Sequence, residues 1–283
     1  MLKLIECPRD AMQGIKQFID TDSKVRYINQ LLRVGYDTLD FGSFVSPKAI
    51  PQMRDTEEVL SRLDLQENSS KLLAIVANTR GAEQALTHPE IAYLGYPFSI
   101  SETFQLRNTN ATISESTERV AEIQSLCVAK NRELVVYISM GFGNPYGDIW
   151  NADIVLKWVE KLHEMGVRIL SLSDTIGVAN PQSIKYLFSN VIPVYPDIEF
   201  GAHLHTMPHT WREKVEAAYQ AGCRRFDSAI KGYGGCPMAK DDLTGNMPTE
   251  NLIQYFDEIN ADIEIDRKAF NQSMAIALEI FPH

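Results

Sequence analysis

An eight-stranded (β/α)8 TIM barrel is the α/β fold this sequence predicts, and three observations predict it. Short runs rich in aliphatic and β-branched residues alternate with longer amphipathic stretches from one end of the chain to the other, which is the rhythm of parallel β/α units. The length of 283 residues suits a barrel, which takes about 250. The polar residues of chemical interest follow many different strands, and only closure brings distant strand ends around one mouth. A doubly wound open sheet is the alternative, but no Gly-x-Gly-x-x-Gly follows the first strand.

The first strand is expected over 2–6, Leu2-Lys3-Leu4-Ile5-Glu6, and breaks at Cys7-Pro8, leaving Arg9-Asp10 where a strand hands over to a loop. A helix near 22–34 leads to a strand at 36–41, and a helix at 53–63 to a strand at 71–76. Helices at 79–87 and 115–131 precede strands at 91–96 and 133–139. The second half continues with helices at 151–165, 181–190 and 209–221 before strands at 167–172, 198–204 and 224–229. Asn151, ahead of the run to Met165, and Ser114 with Glu118 four residues on are helix-start signals. Residues 249–281 carry two further helical patterns that would cover or extend the barrel. No Gly/Ser linker, low-complexity tract or short repeat divides the chain, so 1–283 reads as one barrel domain.

A hydrophobic fraction of 45% with mixed charge describes an ordinary soluble globular protein. The net charge of -10 argues against nucleic acid as a partner but leaves room for an anionic small molecule, because a few local cations can dominate a pocket. There is no run of 18 apolar residues and no basic-then-apolar start, so neither membrane insertion nor secretion is expected and the location should be cytoplasmic. Cys7, Cys127, Cys223 and Cys236 are widely spaced with no Cys-x-x-Cys, which indicates neither a disulfide framework nor a zinc ribbon.

The most informative segment is Gly201-Ala202-His203-Leu204-His205, at the end of the apolar run from Ile198. Residues i and i+2 of a strand share a face, so both imidazoles converge on one point. With a carboxylate from Asp10 and an amide oxygen from Asn246 they make a mixed N/O ligand set. Such a set suits a divalent cation such as Mg²⁺ or Mn²⁺ better than a thiolate-rich structural zinc. On the barrel, Asp40 and Ser43 follow strand 2, Tyr137 lies on strand 5, Asp174 follows strand 6, and the Gly232–Cys236 loop follows strand 8. All sit at C-terminal strand ends, where barrel enzymes keep their chemistry. His209 reads as a helix-start residue, and His88 and His163 as solvated ones.

Several segments resemble the 3-hydroxy-3-methylglutaryl-CoA lyases of the metal-dependent lyase and Claisen-synthase barrels. They are Glu6-Cys7-Pro8-Arg9-Asp10-Ala11-Met12-Gln13, Ser43-Phe44-Val45-Ser46-Pro47-Lys48, Ser173-Asp174-Thr175-Ile176-Gly177, Ala202-His203-Leu204-His205 and Gly234-Gly235-Cys236-Pro237, continuing to Gly245-Asn246. A weaker match is Phe104 with Asn108. The resemblance implies that Asp10, His203, His205 and Asn246 ligate the cation, that Arg9 steadies an enolate oxygen, and that Cys236 handles a proton. It further implies that Asp174 and Asp40 position or relay protons around a substrate hydroxyl, and that Gln13, Ser43, Tyr137 and Thr175 contact an acyl-CoA substrate. The implied activity is carbon–carbon cleavage of a 3-hydroxy-3-methylglutaryl-CoA-like thioester to acetyl-CoA and acetoacetate, by a homodimer or higher homo-oligomer. Thr206 stands where this superfamily usually has Asp, Asp40 where lyases more often have Glu, and the 241–244 segment is one residue longer than expected. A Claisen-type synthase, a 2-oxo-acid aldolase and a catalytically silent metabolite-binding barrel are the competing readings.

Overall fold

The computed structural model describes residues 1–66, 68–235 and 244–281. Eight parallel strands close into a barrel in chain order: β1 (Lys3–Glu6), β2 (Thr38–Ser43), β3 (Lys71–Ile75), β4 (Ile91–Ser99), β5 (Glu133–Ser139), β6 (Ile169–Asp174), β7 (Glu199–Leu204) and β8 (Arg225–Ser228). Closure is made by β8 on β1, with Leu4 opposite Phe226 and Glu6 opposite Ser228. The expected barrel is therefore the observed one, and no open sheet edge remains among these strands.

Strand parity sorts the core into two parts. Leu73, Ile75, Tyr93, Val135, Tyr137 and Ile169 form a cluster inside the barrel. Their alternating neighbours, such as Leu72, Leu94, Val136 and Leu170, join the larger cluster between the strands and the helices. The same alternation puts Gly201, His203 and His205 inside, with Ala202 and Leu204 outside.

Two helices were not expected. Helix α1 (Pro8–Gln13) begins where Cys7-Pro8 reads as a strand breaker; Pro8 sits in its first turn, where a missing N–H costs nothing. Helix α2 (Thr21–Leu32) precedes β2, and α3 (Thr56–Ser61) is shorter than expected because Pro51–Met53 forms a separate 3₁₀ turn. Strand β2 starts and ends two residues later than its pattern suggests, running through Gly42 with a register shift against β3. A Cβ at Gly42 would lie 2.6 Å from Thr56 Cγ2, so the glycine lets α3 close on the strand. Helix α4 (Thr79–Ala85) comes next, and α5 (Glu102–Thr109) is the second unexpected helix, capped by Ser101 and ended by Asn110 in the left-handed region.

Helix α6 (Ile113–Ala129) starts at a capping box of Thr112 and Glu115, not at Ser114 with Glu118. Helix α7 (Ala152–Glu164) takes Asn151 as its cap, as expected. Helices α8 (Pro181–Val191) and α9 (Trp211–Gln220) complete the ring. The C-terminal pair, α10 (Thr249–Glu258) and α11 (Arg267–Ile280), extends it: Gln30 on α2 donates to the Ala269 carbonyl of α11 at 3.1 Å. No helix among the described residues is long and apolar enough to cross a membrane.

Glu6 joins α10 to the barrel. It is fully buried on the outer side of β1, where the Ile230 N–H donates to Oε1 at 2.8 Å and the Thr249 hydroxyl to Oε2. Burial pushes its carboxyl up to about 8, against the hydrogen bonds from Thr249 and Ile230. Unfolded, it titrates near 4.5. The folded chain holds the extra proton between those values, so this group's stabilisation is complete below the lower one and is lost as pH rises through the upper. In urea titrations from about pH 5 to about pH 8 the parent should lose more stability than Glu6→Gln; equal losses would show that Glu6 titrates normally.

Candidate active site

Helix α1 explains how neighbours in sequence reach one site. Arg9 and Asp10, both buried, and half-buried Gln13 line the cleft at the mouth of the barrel. Gln13 Nε2 donates to Asp10 Oδ1 at 2.8 Å, Arg9 Nη1 donates to the same oxygen at 2.8 Å, and Nη1 also reaches Gln13 Oε1 at 2.9 Å. Arg9 Nε donates to Asp40 Oδ1 and Oδ2 at 3.1 and 3.0 Å, and Nη2 donates to Oδ2 as well. Among the described residues one Nη2–H has no acceptor, and Arg9 lines the cleft.

The charges respond to this packing. Burial alone would push the Asp10 carboxyl up, yet Arg9, then His203 and His205, hold it down at about 2. Burial pushes the Asp40 carboxyl up to about 6 despite Arg9. The Arg9 guanidinium is driven above its usual range because Asp40 and Asp10 outweigh its burial. Asp10 is thus an ionised carboxylate at neutral pH.

His203 and His205 meet Asp10 as expected: one donor atom from each of the three lies within 4.8 Å of the others. Each ring is oriented through Nδ1. His203 Nδ1 faces Asp227 Oδ2 at 3.1 Å, and His205 Nδ1 faces the Thr175 carbonyl at 2.8 Å. A carbonyl can only accept, so His205 carries its proton on Nδ1 and leaves Nε2 as a lone pair. Among the described residues that Nε2 is buried without a partner. Burial, then the neighbouring His203, lowers the His205 pKa and keeps the ring neutral. An orphaned buried nitrogen beside an ionised carboxylate and a second imidazole fits a divalent cation.

The other expected residues divide. Tyr137 and Thr175 line the cleft, Tyr137 with a buried hydroxyl that has no partner among the described residues. Asn246 lies against Asp10, held there because Thr206 and Gly245 pair through both backbone groups, at 2.8 and 3.0 Å. Its Nδ2 donates to Asp10 Oδ2 at 2.7 Å and to the Tyr233 carbonyl at 2.8 Å, so the amide nitrogen rather than the oxygen faces the carboxylate. Gly234 permits this approach: its φ is +82°, and a Cβ there would meet the Asp10 carbonyl at 2.6 Å. Ser43 is near the mouth, but its hydroxyl donates to the Ile75 carbonyl and accepts from Val45 N–H, in a neighbouring depression. Cys236 lies outside the described residues.

Asp174 departs from its expected place at the substrate. On β6, Ser171 and Ser173 face inward, and Asp174 has the parity of Leu170 and Leu172, which face the helices. Its carboxylate is fully buried, accepting from Lys214 Nζ at 2.7 Å and from Ala179 N–H at 3.0 Å. Asp227 was missed altogether. Its signal is a charged residue alternating with another inside a strand, Arg225-Phe226-Asp227, where a soluble protein seldom buries charge without a task. Phe104 and Asn108, from the unexpected α5, line the outer part of the cleft.

The HMGL-like family matches residues 3–276. The hydroxymethylglutaryl-CoA lyase of Bacillus subtilis is 33% identical over 253 residues, which cover 89% of this chain and 84% of the relative. A crystal structure of a Bacillus subtilis HMG-CoA lyase superposes with a TM-score of 0.91 at 30% identity, covering 99% and 93% of the two chains. An Acinetobacter baumannii HMG-CoA lyase, solved with coenzyme A and 3-methylmalate, gives a TM-score of 0.90 at 32% identity over 99% and 91%. A match that runs almost end to end, carried by relatives of this identity, shows that the chain belongs to the HMGL-like family, among the HMG-CoA lyases.

Proposed function

We propose that this protein cleaves a 3-hydroxy-3-methylglutaryl-CoA-like thioester to acetyl-CoA and acetoacetate with Mg²⁺ or Mn²⁺ bound. The observation that carries the reading is the buried, unpartnered Nε2 of His205 converging with His203 and Asp10 beside Arg9. Asp10, His203 and His205 would hold the cation, and Asn246 would complete the set by offering Oδ1. When bound, a divalent ion lowers the pKa of a chelated hydroxyl and fixes its geometry.

The chain's own residues supply the rest. Carbon–carbon cleavage removes the substrate hydroxyl proton and leaves a thioester enolate. Asp40, pushed up to about 6, is a carboxylate poised to exchange a proton near neutral pH. Arg9 lines the cleft where enolate charge would develop, and would offer it the Nη2–H that Asp40 does not use. Gln13, holding both Asp10 and Arg9, keeps ligand and cation donor in register, and Tyr137 offers its free hydroxyl to the substrate. Cys236, which follows Gly235 in the sequence, would then deliver a proton to the enolate carbon. The Acinetobacter relative's coenzyme A supports an acyl-CoA as the substrate class here.

Chelation should abolish acetoacetate release, and adding back Mg²⁺ or Mn²⁺ should restore it, the more effective ion identifying the preferred metal. Full activity after exhaustive chelation would contradict the reading. Cys236→Ser should fold and bind Mn²⁺ like the parent but turn over at least about a hundredfold more slowly, in line with the loss of a proton-transfer group. Near-parental turnover would make Cys236 a packing residue.

A further inference from the structure

His205 lies one residue beyond β7, between Leu204 in the barrel ladder and Thr206 in its bridge to Gly245. Its own carbonyl is held from α9. Lys214 is 2% exposed, and its ammonium donates to the His205 carbonyl at 2.7 Å, to Asp174 Oδ2 at 2.7 Å and to the Gly177 carbonyl at 3.1 Å. All three ammonium protons are thereby used. The partners belong to the end of β6, to the β6–α8 loop and to the segment after β7. The His205 ring is held by the same loop, through the Thr175 carbonyl.

We propose that Lys214, with Asp174 as its counter-ion, is a positioning residue for the ligand His205, setting where Nε2 points. This rests on the metal reading of the site. A buried ion pair seldom adds stability over an apolar pair of the same volume, so stability alone does not account for it. Its geometry does: one ammonium joins the strand end that carries the ligand to the loop that orients the ligand's ring. An outer residue of this kind typically changes metal affinity by 10–100-fold when removed.

The test is a Mn²⁺ titration of the full chain by calorimetry, paired with thermal melting. Lys214→Met should weaken Mn²⁺ binding by about tenfold or more and lower the melting temperature, because Asp174 is left buried and unpaired. The double variant Asp174→Asn/Lys214→Met removes both charges. It should regain melting temperature while its Mn²⁺ affinity stays about tenfold weak, because the His205 carbonyl still lacks its donor. A folded double variant that binds Mn²⁺ as tightly as the parent would overturn the proposal, and so would one that fails to fold, since the pair would then be a folding requirement. A parent that binds no Mn²⁺ would instead overturn the metal reading itself.

Discussion

His205→Ala is expected to lose Mn²⁺ binding and turnover together, the largest effect of any single change at this site. The substitution removes a buried nitrogen whose lone pair has no partner among the described residues. It leaves Asp10 and His203 in place, so the protein should remain folded: among the described residues the imidazole makes one hydrogen bond, to the Thr175 carbonyl. Binding measured by calorimetry and acetoacetate formation should therefore fall in parallel while the melting temperature changes little. Retained Mn²⁺ affinity would mean that His205 is a core histidine and that the cation sits elsewhere.

Arg9→Met is expected to act on kcat. Arg9 is committed to Asp40 and Asp10 in the resting protein, and only its remaining N–H can meet charge in the cleft. A donor that gains strength only as the enolate forms stabilises the transition state without tightening ground-state binding. Losing it costs about 3–4 kcal/mol, so kcat should fall by roughly a hundredfold or more with little change in KM. Arg9→Lys restores charge but not the planar fork that spans Asp40 and Asp10, so it should recover only part of the rate. An unchanged kcat with a large rise in KM would place Arg9 on a ground-state carboxylate or a CoA phosphate.

The barrel was legible because its signal is collective: alternating strands and helices mark parallel β/α units even where single boundaries slip, and polar residues after many different strands point to closure. The His203/His205 pair was legible for the same kind of reason, since a period of two is a property of any strand. Asp174 shows where that logic must be applied one residue at a time. Its place at a strand end suggested the mouth, but its parity matches Leu170 and Leu172, and parity turned it to Lys214. Helix α1 was hidden because proline both ends strands and starts helices, and which of the two holds depends on the helical turn that follows. Asp227 and Lys214 act through the histidines across long sequence separations. The Arg225-Phe226-Asp227 alternation marks a buried charge but not its partner; only the closed barrel brings β8 and α9 to the end of β7.

The most direct measurement is the product balance of the Mn²⁺-loaded protein given 3-hydroxy-3-methylglutaryl-CoA. Acetoacetate and acetyl-CoA should appear in equal amounts as the thioester disappears. Saturated metal binding with no cleavage, or condensation of acetyl-CoA with a 2-oxo acid in its place, would contradict the assignment.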